Sequence, residues 1–163
     1  LSNSTNLERP PFERDQSIET SKRQKQRQKM KFICLGYIEP NKFETMSASD
    51  QTAMLDECFG YDDFLRKNGH FAGGDALQGP RSGATLWWKN GKVAVTDGPY
   101  AETKEQLGGI LALEARDLNH AIELMSNHPG VKAGPFEIRP AADLTGMIRE
   151  SELRSAKKER PSG

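Results

Sequence analysis

Apolar and small residues alternate along Lys31–Ile38, with Phe32, Cys34 and Gly36 on one side of the chain and Ile33, Leu35 and Tyr37 on the other. A short run of period two predicts a central strand, which Glu39-Pro40-Asn41 ends. At Ser47-Ala-Ser49-Asp50, a helix-capping signature, the period changes: Met54, Leu55, Cys58, Tyr61 and Leu65 return to one face. They predict a helix over about Ser49–Lys67, stopped at Asn68-Gly69. Gly60 inside it marks a weak point or a close packing contact. His70–Leu77 predicts a short second strand and Gln78–Gly83 a loop rich in Gly and Pro. Ala84–Lys89 and Lys92–Thr96 flank Asn90-Gly91, and Asn-Gly between two short runs signals a hairpin because both turn positions tolerate positive φ. Gly109–Ala115 is the next strand. Asp117 caps a helix whose stripe is Leu118, Ala121, Ile122 and Met125 and which Pro129-Gly130 ends. Phe136 and Ile138 alternate with Glu137 and Arg139 in a last strand closed by Pro140. From Leu144 onward Met147, Ile148 and Leu153 support a short helix, and Lys157–Gly163 reads as a frayed tail.

The order is β-α-β, hairpin, β-α-β: two helices against one mainly antiparallel sheet, an α+β, ferredoxin-like arrangement with an added β-hairpin. Two helices cover one face of such a sheet, so an apolar second face calls for a partner. The alternation of Trp87, Trp88, Leu111 and Leu113 predicts sheet-to-sheet packing in a homodimer.

Composition changes this picture mainly at the ends. The chain has 163 residues, enough for one domain of ordinary core with tails, and three segments are expected: a polar, disordered leader over 1–29, a folded domain over 30–140, and a C-terminal helix and tail over 141–163. Lys plus Arg and Asp plus Glu both number 23, which argues against a nucleic-acid-binding surface. Residues 1–29 hold seven basic and four acidic side chains, among them the tract Lys22–Lys29. Without aromatics, that tract reads as a solvated arm. The break at Met30-Lys31-Phe32 also fits a natural start at Met30, an expectation that an intact mass including residues 1–29 would remove. No long apolar run suggests a signal peptide or a membrane span, so the expected location is cytoplasmic, with no membrane partner. Cys34 and Cys58 lack metal-ligand spacing and are expected to be buried free thiols; the three histidines are too scattered for a metal centre, and neither a metal nor another cofactor is expected.

The candidate chemistry gathers after the fourth strand. In Asp97-Gly98-Pro99 the carboxylate either caps the turn as an Asx motif or faces a cleft as acid, base or ligand anchor. Glu102 and Lys104 follow it, able to orient a polar substrate or pair with Asp97, and Tyr100 adds an aromatic wall with a hydroxyl. His70 is the second candidate for proton transfer, expected to reach the same end of the sheet as Asp75. Arg81 suits an anionic group. The catalytic candidates are thus Asp97, His70 and Glu102, and the substrate-binding candidates Tyr100, Lys104, Asp75 and Arg81. His120 and His128 are expected at the surface. Gly73-Gly74 and Gly108-Gly109 lack the spacing and lysine of a phosphate loop.

Asp97-Gly-Pro-Tyr-Ala-Glu-Thr-Lys-Glu-Gln-Leu-Gly-Gly109 resembles the signature of the DGPF group of the YCII-related superfamily, with Tyr100 where that group usually has Phe. Gly73-Gly-Asp-Ala-Leu-Gln78, Gly91-Lys-Val93 and Glu137-Ile-Arg-Pro140 fit the same pattern, so the likeness runs from about Met30 to Pro140. It implies a ferredoxin-like domain of the dimeric α/β-barrel type whose paired sheets enclose clefts. It does not imply one reaction. Some related proteins carry a His–Asp pair in the cleft, but here the first helix has no His and His70 follows it. DGPF proteins are sometimes encoded beside, or fused to, extracytoplasmic-function sigma factors. Two readings follow: a small cofactor-independent enzyme doing acid/base chemistry on a small organic molecule, or a non-catalytic small-molecule-binding or regulatory module linked to such sigma factors.

Overall fold

The computed structural model describes residues 29–158; the basic tract up to residue 28 and residues 159–163 lie outside it. Strand β1 (Met30–Ile38) leads through a one-turn helix α1 (Pro40–Glu44) into the long helix α2 (Ala48–Lys67). Strand β2 (Phe71–Ala76) and a 3-10 turn (Pro80–Ser82) precede the hairpin β3 (Ala84–Lys89) and β4 (Lys92–Asp97). Strand β5 (Gln106–Ala115), helix α3 (Leu118–Ser126), a second 3-10 turn (Pro129–Lys132), strand β6 (Phe136–Pro140) and helix α4 (Thr145–Lys158) complete it.

Local chemistry accounts for the boundaries. Ser47 Oγ accepts the Asp50 N–H at 3.2 Å and Asp117 Oδ1 accepts the His120 N–H at 2.8 Å, so α2 and α3 both start on side-chain caps. Asn90 at φ 51° and Gly91 at φ 74° form the two-residue turn that matches the twist of β3 and β4. Gly60 is no packing contact: nothing lies within 4 Å of where its Cβ would stand.

Four strands form one sheet in the order β2-β5-β1-β6, every neighbouring pair antiparallel, and β3-β4 form a second sheet. With the hairpin set aside this is the strand order of a ferredoxin-like α+β domain. The barrel-type expectation is corrected here: no pairing closes the sheet, whose edges are β2 and β6, and the hairpin stands apart from both. Pro140 is the last residue of β6, and a turn that starts at Pro80 follows β2.

The core lies between one sheet face and helices α2 and α3. Phe32 and Cys34 on β1 and Leu111, Leu113 and Ala115 on β5 meet Leu65 of α2 and Ala121, Leu124 and Met125 of α3. Leu111 and Leu113 therefore face the helices, and the open face carries Ile33, Leu35, Ile110 and Ala112 instead. The α3 stripe also differs from the expected one: Leu118 and Ile122 are exposed, and His128, expected at the surface, is only 7% exposed. His128 Nδ1 accepts the Gly130 N–H at 3.0 Å, which leaves the proton of the neutral ring on Nε2, 3.4 Å from Asp62 Oδ1. At that distance, with Asp62 Oδ1 buried and accepting no hydrogen bond, the two side chains make a polar contact between the second 3-10 turn and α2. Burial raises the Cys34 thiol to about 12. Half-buried Cys58 is raised by burial first and then by Asp62 and Glu57. Neither cysteine is poised as a thiolate nucleophile.

Candidate functional site

Strand β4 ends at Asp97, and Gly98, at φ 87°, turns the chain in a conformation that disfavours a side chain. The bend is held by its neighbour strand: the Gly98 N–H donates to Gly83 O at 2.8 Å and the Thr85 hydroxyl donates to Gly98 O at 3.0 Å. Among the described residues the Asp97 carboxylate accepts no hydrogen bond, so the Asx-type cap does not form and this exposed carboxylate is left for solvent or a ligand. The link that follows is stapled from within. Gln106 Nε2 donates to Ala101 O, Thr103 O and Thr103 Oγ1 at 3.1, 2.7 and 3.1 Å, and the Thr103 hydroxyl donates to Glu105 O at 2.5 Å. Polar side chains at the start of β5 thus shape the loop that carries Glu102 and Lys104.

This loop, α1 and the Pro80 turn enclose an open cleft of about 940 Å³. Asp97, Glu102, Lys104 and Arg81 all line it, with Glu39 and Glu44 from the far side. Lys104 Nζ stands 3.2 Å from Glu39 Oε1, across the cleft, and not against Asp97. An adjoining hollow of about 740 Å³ shares the walls Gln78–Pro80 and Gly98-Pro99, and Tyr100 lines it. Tyr100 is 76% exposed and stacks on Trp87, ring centroids 5.3 Å apart; the Trp87 indole N–H donates to Thr96 Oγ1 at 3.1 Å.

His70 and Asp75 line neither cavity. His70, just before β2, has Nδ1 2.9 Å from Glu114 O and its ring edge-on to His120 at 5.1 Å. Asp75 sits five residues further along β2, beside Ile110. Burial, then Arg116 and His70, push the His120 imidazole below its ordinary range. Among the described residues no group of three or more His, Cys, Asp or Glu stands close enough to hold a metal ion. No described helix is long and apolar enough to cross a membrane.

Glu39, Asn41, Glu44 and Gln78 of the cleft were not legible as site residues. They come from α1 and from a loop, brought opposite Asp97 by tertiary packing; only the acidic character of Glu39 and Glu44 hinted at them.

The profile of the YCII-related domain matches residues 30–145. An uncharacterized protein of Rhizobium meliloti (strain 1021) is 38% identical over 61 residues, which cover 36% of this chain and 49% of the relative. The chain thus spans about half the length of the curated relative it matches.

Proposed function

This chain belongs to the YCII-related domain family, and on that premise we propose that it binds a small polar organic molecule in the cleft beside Asp97, with Asp97 and Glu102 as the groups available for acid/base chemistry on it. We assign it to the DGPF group within that family on the motif Asp97–Gly109. The observation that carries the reading is the convergence of Asp97, Glu102 and Lys104 with Arg81, from a separate turn, on one cavity. Arg81 suits a carboxylate or phosphate on the ligand, because its fork of N–H donors is always charged. Asp97 and Glu102 accept hydrogen bonds from hydroxyl or amine groups, and Tyr100 offers a flat apolar wall in the adjoining hollow. His70, which precedes β2, does not line this cleft, and the reading gives it no role.

A thermal-shift screen of hydroxy acids, amino acids and sugar phosphates tests this. A ligand that binds only the native state raises the melting temperature by mass action, about 2.7 kcal/mol of stabilisation at a hundred times its Kd. Hits are expected to shift the wild type and to lose most of that shift in Asp97→Asn with Arg81→Gln; equal shifts in both proteins defeat the site. Product formation by NMR then separates the two classes. Turnover lost in Asp97→Asn while binding survives identifies a proton carrier, and saturable binding with no consumption identifies a binding module.

We also infer a homodimer built on the hairpin. Leu86 pairs across from Val95 and Trp88 from Val93, so all four share one face, and Trp88 is 74% exposed and Leu86 67%. A contiguous apolar face of this kind on a two-stranded ribbon marks an interaction surface. Sedimentation equilibrium is expected to give a dimer that Trp88→Glu dissociates; a wild-type monomer at ~10 μM, in the ordinary range for a specific interface, removes the proposal.

A further inference from the structure

A third cavity, of about 230 Å³, lies on the other side of Glu39 from the cleft, between the end of β1, α1, α2 and the second 3-10 turn. Its walls are Ile38, Phe43, Met46, Met54 and Ala133, with Lys42 and Lys132 beside them. The chemistry differs from that of the cleft: an aliphatic and aromatic wall with two soft thioethers, and cationic groups from two different segments. Thioethers adapt to the shape of a small apolar body without a fixed rotamer. Among the described residues neither lysine is in an ion pair, whereas the one carboxylate that borders the cavity, Glu39, is engaged by Lys104. The cavity is below the ~300–1,000 Å³ typical of drug-sized ligands, so its occupant is fragment-sized.

We propose that this cavity binds a small apolar carboxylate, an aromatic or short aliphatic acid whose body packs on Phe43, Met46 and Met54 and whose carboxylate meets Lys42 and Lys132. A compact ammonium pairs with one carboxylate as a point charge, and two of them at the rim of an apolar wall select an acid over its neutral isostere. The site is independent of the cleft reading, because no residue proposed to contact the cleft ligand lines it.

Benzoate, hexanoate, benzamide and acetate, titrated into the full chain and followed by amide chemical shifts, test it. Benzoate or hexanoate is expected to saturate with shifts centred on Phe43, Met54 and Ala133, at least tenfold tighter than benzamide, which lacks the charge, and than acetate, which lacks the body. Lys42→Gln with Lys132→Gln is expected to weaken the acid at least tenfold while leaving benzamide unchanged, and Met54→Trp, which fills the cavity, to abolish binding. Three results overturn the proposal: no saturation by either acid at about 10 mM, equal affinity for benzoate and benzamide, or shifts centred on Arg81 and Lys104 instead.

Discussion

Phe32→Ala is expected to lower the free energy of unfolding by about 3–5 kcal/mol, measured by urea denaturation. The ring is 1% exposed and pairs across β1–β5 with Leu113, which is fully buried. Strand β1 has β5 on one side and β6 on the other, so its backbone cannot slide to fill the space the ring leaves. Leu65, Leu124 and Met125 approach from α2 and α3 and pack in the same cluster. A cavity that collapses little keeps most of its cost. For a domain whose whole stability is about 5–15 kcal/mol, that loss is a large share, and it should come with an unchanged m-value. Ile33→Ala, one residue along and on the open face, is expected to cost less than half as much. If the two cost the same, the core does not lie under the helices and the layer order fails.

That contrast between adjacent residues is legible in the sequence alone. The alternation of Phe32 and Cys34 against Ile33 and Leu35 predicts two unlike faces, and strand burial follows it. The same holds for signals that act within a few residues: Ser47 and Asp117 as caps, Asn90-Gly91 as a turn. What periodicity cannot supply is which face meets what. Leu111 and Leu113 alternate equally well for an open or a covered sheet face, and only the packing of α2 and α3 decides that they are covered. In α3, Leu118 and Ile122 have the hydropathy of core residues, but the face toward the sheet is Ala121, Leu124 and Met125, with His128 just beyond the helix. A polar ring is buried there because Gly130 and Asp62 meet its two nitrogens. Helix α1 has no signature of its own, since a single turn after Pro40 offers no period to detect, and Glu39-Pro40-Asn41 signals only the end of a strand.

The candidate site divides the same way. Asp97, Glu102 and Lys104 are near one another in sequence, and one stapled loop carries the last two of them to the cleft. Arg81 joins them because the hairpin brings Gly83 against Gly98, a contact across fifteen residues. Glu39 reaches the same cleft from far upstream, and its pairing with Lys104 is a tertiary fact with no local signature. His70 and Asp75, alike in their nearness to a glycine-rich strand, stand five residues apart along the chain, and neither borders the cleft.

The same substitution at two glycines should act with opposite sign. Gly134 sits between the second 3-10 turn and β6, where Tyr37 donates its N–H to Pro135 O at 2.9 Å and holds the two backbones together. A Cβ on Gly134 would collide with the Tyr37 carbonyl oxygen and lie 3.0 Å from its carbon and 3.5 Å from Ile38 Cα. Every one of those atoms is backbone, so no rotamer change relieves the clash; β1 or the turn must move. The φ of Gly134 lies outside the left-handed region, so alanine suffers there from space alone. Overpacking usually costs about 1–3 kcal/mol, and with no side chain to yield the cost should reach about 3 kcal/mol or more. The melting temperature of Gly134→Ala should then fall by about 6–12 °C, taking ~2–4 °C per kcal/mol for a chain of this size. Gly60, within α2, has open space where a Cβ would go, and its helical backbone suits alanine. Gly60→Ala should therefore raise stability by about 0.5–1 kcal/mol through the freedom the unfolded chain loses. A Gly134→Ala protein that melts with the wild type would show that β1 and the turn before β6 do not approach this closely. The wall that Ala133 gives the apolar cavity would go with that approach.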